Sequence, residues 1–365
     1  MQTGRTSTSY PQQQPDMPLY NSYITRRSFL QSLTAGAALP LVLGGCRTTD
    51  GIRNAYGRAR RGSYLSGLKV ETRLNDADAF TEGPAVDRSG DVYFTNIPAS
   101  RILRWNPRSS ELSVFREDSN MANGLLFEGR GRLLVCEGLS GRLIRIDMET
   151  GETEILAETF EGRPLAPPND VALDSSGRIY FSSRPSGEVP PRPNVTPNAV
   201  YRLDPDGSLH RLLGEPEVDM PNGLVVSNDD ATLYLIEAHS GEGSSRHIKA
   251  FDLAANGSIS NGRILIDFYP GRSGDGMCID VEDNLYVAAG LHERRGTSET
   301  LDTQPGIHVI SPDGELLDYL KTPADTVTNC TFGEEDLRTL YVTAGPLLLS
   351  ARTNIPGHPR YRPGG

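Results

Sequence analysis

Six polar residues recur at the start of six similar segments, and their types suit the binding of a cation. In each segment an apolar stretch and a turn follow the opening residue, and a Tyr or Leu returns eleven or twelve positions later. The openings are Glu82, Asn123, Asn169, Asn222, Asp275 and Asn329. Converging carboxylate and carboxamide oxygens suit Ca²⁺, which accepts about six to eight oxygen ligands in loose geometry. Mg²⁺ needs a tighter octahedron, and zinc prefers His or Cys.

The segments also allow a purely structural explanation, because Asn-Gly is a common turn dipeptide. For any single copy the two explanations stay open. Six copies in the same register, two of them acidic, favour a shared site.

The spacing of the segments predicts the fold that brings the openings together. Successive openings are 41, 46, 53, 53 and 54 residues apart, a period typical of propeller blades. Each copy reads as two strands joined by a turn, with the Asp-x-x-Gly sequence in Asp87 to Gly90 and Asp174 to Gly177, and two further strands follow. We therefore expect an all-β, six-bladed β-propeller with four-stranded blades, its openings facing the central channel at one depth. No convincing amphipathic helix follows residue 62, which argues against a TIM barrel.

The sixth copy supplies only three strands before a Pro-rich tail, predicted to cover residues 353–365. Leu68 to Leu74 alternates apolar with polar residues and can supply the fourth strand. The sequence thus predicts that an N-terminal strand closes the ring and that the propeller spans residues 63–352.

The N-terminal region is typical of an export signal. Residues 25–31 (TRRSFLQ) resemble a twin-arginine motif, and an apolar run from Leu33 to Leu43 is too short to be a stable membrane span. Leu43 to Cys46 resembles a lipobox, although a plain signal anchor is the alternative. We expect residues 1–46 to be a twin-arginine lipoprotein signal peptide, Cys46 to be the lipid anchor on the periplasmic side, and residues 47–62 to be a tether. No other membrane contact is expected.

Charge and cysteine content limit the partners. Removal of residues 1–46 takes three arginines and one aspartate from 36 basic and 47 acidic residues, so the net charge moves from −11 to −13. A protein with this net negative charge would repel the phosphate backbone, so nucleic-acid binding is not expected. Apart from Cys46, the three cysteines are sparse and suit buried positions in strands, although a bridge between Cys278 and Cys330 stays possible. We expect a monomer.

The opening motifs resemble the regucalcin and gluconolactonase family (the senescence marker protein type), six-bladed propellers that hydrolyse sugar lactones with a divalent metal in the channel. The resemblance spans about residues 70–345 and rests on four motifs. They are Glu82-Gly83-Pro84, Pro168-Asn169-Asp170, Pro221-Asn222-Gly223-Leu224 and Asp275-Gly276-Met277-Cys278-Ile279-Asp280.

The resemblance implies roles for individual residues. One divalent cation, most simply Ca²⁺, would be held by Glu82, Asn169, Asn222 and Asp275. Asp275 would also be the general base that takes a proton from the attacking water. Asn169 would contact the substrate as well, and Asn123 is added to the substrate site by the repeat alone. A cation-bound carboxylate is a weak base, but a lactone is a reactive electrophile.

Two features distinguish this chain within the family that it resembles. The regucalcin branch carries an Arg two residues before the third opening, where this chain has Pro167, which favours the bacterial gluconolactonase branch. The connection from Arg184 to Asn198 is long and Pro-rich, and it suits either a stiff rim over the channel mouth or a solvated loop.

His239 and His292 each follow the second strand of a copy and could reach the channel mouth, but they suit surface loops better.

The predicted activity is metal-assisted hydrolysis of a lactone such as gluconolactone. A related metal propeller that cleaves aryl esters or phosphotriesters would present much the same ring. A noncatalytic calcium-binding propeller is the third alternative, which two carboxylates in a narrow channel disfavour. No Gly-x-Ser-x-Gly or Walker motif is present in the sequence.

Overall fold

A computed structural model describes residues 52–129, 131–185, 187 and 189–358. Regular structure in these residues consists of one short helix, α1 (Ile52–Ala55), and 26 strands, of which the first is β1 (Leu65–Arg73). Twenty-four strands form six four-stranded sheets, and the other two form a small hairpin. The protein is an all-β, six-bladed propeller with four-stranded blades, which confirms the prediction.

The strands are numbered in chain order, and each blade begins with its innermost strand. Blade 1 contains β2 (Thr81–Val86), β3 (Val92–Asn96), β4 (Arg101–Asn106) and β5 (Glu111–Arg116). Blade 2 contains β6 (Ala122–Glu128), β7 (Arg132–Glu137), β8 (Arg142–Asp147) and β9 (Thr153–Ala157). The hairpin of β10 (Thr159–Phe160) and β11 (Arg163–Pro164) precedes blade 3. Blade 3 contains β12 (Pro168–Leu173), β13 (Ile179–Ser183), β14 (Ala199–Leu203) and β15 (Leu209–Gly214).

The second half of the ring repeats this arrangement. Blade 4 contains β16 (Pro221–Val226), β17 (Thr232–Ala238), β18 (Arg246–Leu253) and β19 (Ile259–Asp267). Blade 5 contains β20 (Gly274–Ile279), β21 (Leu285–Ala289), β22 (Gly306–Ile310) and β23 (Leu316–Lys321). Blade 6 contains β24 (Val327–Gly333), β25 (Thr339–Ala344), β26 (Leu347–Thr353) and β1.

The ring closes through the N-terminal strand. β1 is the outermost strand of blade 6 and pairs antiparallel with β26, from Leu65 opposite Thr353 to Arg73 opposite Leu347. The strand starts three residues earlier than the predicted Leu68. Pairing of the first and last strands in one sheet closes the ring and covers the outer edge of β26.

Short turns join the two inner strands of each blade, and their sequences explain them. In blade 1 the side chain of Asp87 accepts hydrogen bonds from the backbone N–H groups of Ser89 at 2.8 Å and Asp91 at 3.0 Å. Gly90 completes the turn with a φ of 90°, which favours glycine. The Asp-x-x-Gly signal is therefore the local cause of this hairpin, and Asp174 to Gly177 forms the same turn in blade 3.

The apolar core lies between the blades and holds the ring together. Tyr93 of blade 1 packs edge-on against Phe127 of blade 2, with ring centroids 5.3 Å apart. Across the closure, Phe94 of blade 1 belongs to the same apolar cluster as Tyr341 and Leu348 of blade 6. Each blade therefore depends on its neighbours for burial, as in other repeat folds.

The segment expected to be a tether is packed on the propeller in its described part, residues 52–62. Ile52 is only 1 % exposed and joins the apolar cluster shared by blades 4 and 5. The hydroxyl of Tyr56 lies 2.7 Å from Nε2 of His308 and accepts a hydrogen bond from the backbone N–H of Gln304 at 2.9 Å. The prediction of a tether is corrected here, because Ile52 and Tyr56 at helical spacing form an apolar face that a tether would expose.

Part of the predicted tail also packs against the body. Gly357 forms an isolated bridge with Asp280, and the backbone N–H of His358 donates to Ile279 at 3.2 Å. Residues 1–46, with the predicted signal and Cys46, lie outside the described residues, as do residues 359–365. No helix in the part of the chain that the structure describes is long and apolar enough to cross a membrane.

The three described cysteines lie in strands, as expected from their sparse spacing. The Sγ atoms of Cys278 and Cys330 are 3.5 Å apart, far beyond the roughly 2.05 Å of a disulfide. The bridge that the sequence left possible is therefore not formed, and Cys136 is buried without a partner cysteine.

Candidate active site

The inner strands of blades 1 to 5 begin at the same end of the central channel, and their openings line one cavity there. This cavity, of about 230 Å³, is called the mouth cavity below. Its walls include Glu82, Asn123, Asn169, Asn222 and Asp275. All except the half-buried Asn123 are less than one-tenth exposed. The structure thus brings together all five residues to which the sequence analysis assigns a role.

A β-bulge at the start of each inner strand aims these side chains at the channel. In blades 2 to 5 the pairing with the second strand skips the opening residue and the one after it, as between Ala122 and Leu125. Blade 1 shifts between Glu82 and Ala85. An extra residue in one strand re-aims side chains and bends the strand, a common device beside functional sites.

Close approach of the inner strands explains the glycines that follow four of the openings. A Cβ atom on Gly223 would lie 2.5 Å from the backbone oxygen of Asp275, and one on Gly276 would lie 2.0 Å from Cγ of Asn329. Real Cβ atoms do not approach other atoms so closely. The Gly therefore reflects crowding at the channel axis, in addition to the turn preference of Asn-Gly.

Asn329 does not join the other openings, which corrects the expectation that all six lie at one depth. In blade 6 the register shift falls between Val327 and Asn329, so the bulge contains Thr328, and Asn329 pairs regularly with Thr343. The Asn329 side chain lines a second cavity at the opposite end of the channel and donates to Asp170 at 3.1 Å. A bulge placed one residue earlier therefore turns this opening away from the mouth.

Asp275 is held from two sides. Nδ2 of Asn222 donates to its Oδ1 at 2.7 Å, and the guanidinium of Arg272 donates to its Oδ2. A carboxylate offers about four acceptor positions, so these two contacts leave others for a cation or a proton. The repeat does not predict a role for Arg272, because the position three residues before an opening is not part of the repeated pattern.

Other charged residues in the mouth cavity were also missed. Arg184, Arg295 and Glu299 all line it, on the long connections from β13 to β14 and from β21 to β22. The Glu299 side chain is largely buried and accepts from the hydroxyl of Thr297 at 2.8 Å. These loops differ from blade to blade, so the repeat could not reveal them.

Asp170 occupies the position after an opening where four other copies have glycine. It is buried, and its Oδ1 accepts from the backbone N–H of Val171 at 2.9 Å. Burial raises the pKa of Asp170 to about 7, against the lowering effect of its hydrogen bonds from Val171 and Asn329. Asp170 lines the second cavity together with Asn329, and the sequence did not indicate a role for it.

Comparison with known proteins places this geometry in a family. The profile of the SMP-30/Gluconolactonase/LRE-like region matches residues 80–345, which include all six blades' inner strands. The chain belongs to this family. A gluconolactonase of Zymomonas mobilis is 27 % identical over 304 residues, covering 76 % of this chain and 80 % of that protein. Bovine regucalcin is 27 % identical over 282 residues, covering 76 % of this chain and 87 % of regucalcin.

Solved structures agree with the fold of this SMP-30/gluconolactonase family member. A gluconolactonase of Xanthomonas campestris superposes with a TM-score of 0.67 at 28 % identity, covering 82 % of this chain and 92 % of the other. A calcium-binding protein, regucalcin, from Agrobacterium tumefaciens superposes with a TM-score of 0.64 at 20 % identity, covering 82 % and 98 %. The second likeness supports the propeller fold alone.

The family implies a divalent cation, and the donors in the mouth cavity of this chain fit one. Glu82 and Asp275 supply buried carboxylates, and Asn169 and Asn222 supply buried carboxamides that face the same cavity. Such hard oxygen donors suit Ca²⁺. No cluster of three or more His, Cys, Asp or Glu residues able to hold a metal is present among the described residues, so the carboxamides would have to take part.

The two histidines considered from the sequence do not line the mouth cavity. Nδ1 of His239 accepts from the backbone N–H of Gly241 at 2.9 Å, and Nε2 of His292 lies 2.9 Å from the backbone oxygen of Thr322. Ala238 and Ser240, which flank His239, contribute to the wall instead. In this family member the histidines are loop residues, as the sequence favoured.

The long connection after β13 lies at the mouth and is fixed to the body at both ends. The backbone N–H of Arg184 donates to Pro167 at 2.9 Å, and the hydroxyl of Thr196 accepts from the backbone N–H of Ala166 at 3.0 Å. The sequence suited either a rim over the channel mouth or a solvated loop. The residues of this connection that the structure describes fit the rim better.

Proposed function

We propose that this protein is a lactonase that opens a sugar lactone, such as gluconolactone, to the aldonic acid with the help of one divalent cation. The observation that supports it most is the convergence of two buried carboxylates and two buried carboxamides in one cavity of a chain that belongs to a gluconolactonase-containing family. Ca²⁺ is the cation that such oxygen donors suit best.

In this proposal Glu82, Asn169, Asn222 and Asp275 hold the cation. When bound, the cation would polarise the lactone carbonyl and stabilise the negative charge that develops on its oxygen. Asn123 and Asn169 would orient the substrate through their side-chain amides, since both face the cavity. Asn222 and Arg272 would position Asp275 through the hydrogen bonds already formed.

Asp275 would act as the general base. It would take one proton from a water molecule while the water oxygen bonds to the carbonyl carbon. Collapse of the tetrahedral species breaks the ring C–O bond, and the leaving alkoxide receives the proton that Asp275 took from the water, which restores the Asp275 carboxylate. Water is thus added across one ester bond, and the product is an open-chain hydroxy acid.

A substrate panel tests this proposal. Aldonolactones, aryl esters and phosphotriesters are assayed with the full chain, first in EDTA and then after addition of Ca²⁺. We expect calcium-dependent hydrolysis of at least one aldonolactone. Hydrolysis confined to aryl esters or phosphotriesters would support the related propeller chemistry, and calcium binding without any hydrolysis would support a noncatalytic role.

We also propose that the protein is exported by the twin-arginine route and anchored by Cys46 as a monomeric periplasmic lipoprotein, with no further membrane contact. The motif at residues 25–31 and the Leu43-Gly44-Gly45-Cys46 sequence support this. Fractionation of cells that express the Cys46→Ala variant tests it. Equal release of variant and wild type into the soluble periplasm would contradict the anchor.

A further inference from the structure

Three arginines surround the mouth cavity beside the proposed cation ligands. Arg184 begins the connection from β13 to β14, Arg272 precedes β20, and Arg295 lies on the connection from β21 to β22. All three share the cavity with Glu82 and Asp275. Guanidinium groups on the wall of a small cavity are typical of sites that bind carboxylate or phosphate groups.

The guanidinium group of Arg272 already forms hydrogen bonds within the protein. One terminal nitrogen binds Asp275, and the other donates to the backbone oxygen of Val327 at 3.1 Å. With only 11 % of its side chain exposed, it has little capacity left for a ligand. We regard it as a positioning residue for Asp275.

The guanidinium group of Arg184 has hydrogen-bond donors that are not used within the protein. Its backbone is held opposite Pro167, two residues before Asn169, so the side chain starts beside a proposed ligand. Nη1 makes a long contact of 3.3 Å with the backbone oxygen of Pro185, and the buried Nε has no hydrogen-bond partner among the described residues. A buried donor without a partner is costly, and a ligand oxygen would satisfy it.

Arg295 is placed so that an anion would stabilise it. It contacts the hydroxyl of Thr326 and lies 3.5 Å from Asp325. Burial and then the nearby charge of Arg272 lower the pKa of Arg295, which remains a charged donor on the cavity wall. A bound anion between the blade 3 and blade 5 loops would offset the repulsion between the two guanidinium groups and accept hydrogen bonds from Arg295.

The charge balance of the cavity points in the same direction. Three arginines face three carboxylates, those of Glu82, Asp275 and Glu299, so the wall is neutral without a cation. A divalent cation makes the mouth cavity positive by two charges, or by one when Asp325 is included. A loaded site would therefore attract an anionic substrate over a neutral one.

We propose that the natural lactone carries an anionic group, a carboxylate or a phosphate, on the part of the sugar away from the lactone carbonyl, and that Arg184 and Arg295 bind this group. The proposal rests on the lactonase function above and narrows its substrate class. Arg184 is the main specificity-determining residue, because its Nε is the donor that lacks a partner.

Binding of non-hydrolysable sugars tests the proposal without turnover. Glucose, glucuronate and glucose 6-phosphate differ only at C6, and each is titrated calorimetrically into the full chain in calcium-containing buffer. We expect one of the two anions to bind at least about tenfold more tightly than glucose, with a preference that falls as NaCl is raised. The anion that binds more tightly identifies carboxylate or phosphate as the recognised group.

Variants distinguish a specific anion-binding site at Arg184 from a nonspecific effect of the protein's charge. Arg184→Gln should abolish the preference, and Arg184→Lys should restore part of it. Arg263→Gln, which removes an exposed arginine paired with Asp252, should keep it. Equal binding of all three sugars, including failure of all three to bind, or an unchanged preference in Arg184→Gln, would overturn the proposal.

Assays with matched lactones distinguish this inference from the function on which it rests. Hydrolysis of a neutral aldonolactone without preference for its carboxylate or phosphate analogue would overturn the substrate class and leave the lactonase standing. An anion preference that depends on Arg184 in a protein that opens no lactone would support the anion site and overturn the lactonase.

Discussion

Asn222 and Asp275, which open the inner strands of neighbouring blades, are joined by a hydrogen bond of 2.7 Å from Nδ2 to Oδ1. The second oxygen of the same carboxylate is bound by Arg272. Asp275 is therefore fixed by a residue of blade 4 and by the segment that leads into blade 5. A carboxylate fixed in this way is ready to act without rearrangement.

Arg272 offsets one of the two carboxylate charges of the site, and its removal should strengthen calcium binding. In Arg272→Met we expect the calcium affinity to rise about tenfold, because a nearby positive charge is lost. Without calcium, the variant should lose roughly 3 kcal/mol of unfolding free energy, since a mostly buried carboxylate loses its partner. Calcium titration and thermal melts in EDTA measure both, with Arg263→Met as the control. Unchanged or weaker calcium binding in Arg272→Met would show that the charge of Arg272 does not oppose calcium binding.

The docking of residues 52–62 should contribute to stability. Ile52→Ala should lower the free energy of unfolding by about 2–4 kcal/mol, because Ile52 is buried between blades 4 and 5. Tyr56→Phe should lower the free energy of unfolding by about 1–3 kcal/mol, because the half-buried backbone N–H of Gln304 loses its acceptor. Urea unfolding measures both effects. Arg53→Ala, which alters a side chain that is 80 % exposed, should change stability by less than about 0.5 kcal/mol. Wild-type stability of Ile52→Ala would show that the segment does not dock in solution.

Asp170 should make stability depend on pH in the neutral range. Its pKa of about 7 in the folded protein lies above the value of about 3.8 for a free side chain, so folding favours the protonated form. The resulting stabilisation is complete below about pH 4 and is lost as the pH rises through 7. Between pH 5 and 8 the wild type should lose roughly 2–3 kcal/mol relative to Asp170→Asn.

The comparison is best made by urea unfolding in EDTA, so that no cation shifts the titration of Asp170. Asp313→Asn, at an exposed turn position, serves as the control and should follow the wild type. Parallel pH dependences of wild type and Asp170→Asn would show that Asp170 is not the group responsible.

The repeat carries most of the fold and much of the candidate site. Six similar copies, two of them with an Asp-x-x-Gly turn, predict the blades, and alternation in Leu68 to Leu74 predicts the closing strand, because both depend on local patterns that recur or alternate. The five openings of blades 1 to 5 meet for the same reason, since equivalent positions in a ring point alike.

What the sequence did not predict depends on contacts that do not repeat. The bulge at Thr328, which turns Asn329 away, follows from pairing with β25 and leaves no mark in the copy itself. Arg184, Arg295 and Glu299 lie on loops that occur once each. The docking of Ile52 needs a groove between blades 4 and 5 that no local pattern describes.

The roles of the two carboxylates are the centre of the proposed function, and calcium rescue separates them. Hydrolysis of gluconolactone, or of the anionic lactone preferred by the chain, is measured in wild type, Glu82→Gln and Asp275→Asn from EDTA to saturating calcium. We predict no activity in EDTA for any of the three proteins. Glu82→Gln should bind calcium more weakly and recover part of its activity at saturating calcium, whereas the activity of Asp275→Asn should stay low even when calcium is saturating. Full activity of wild type in EDTA, or full activity of Asp275→Asn at saturating calcium, would contradict it.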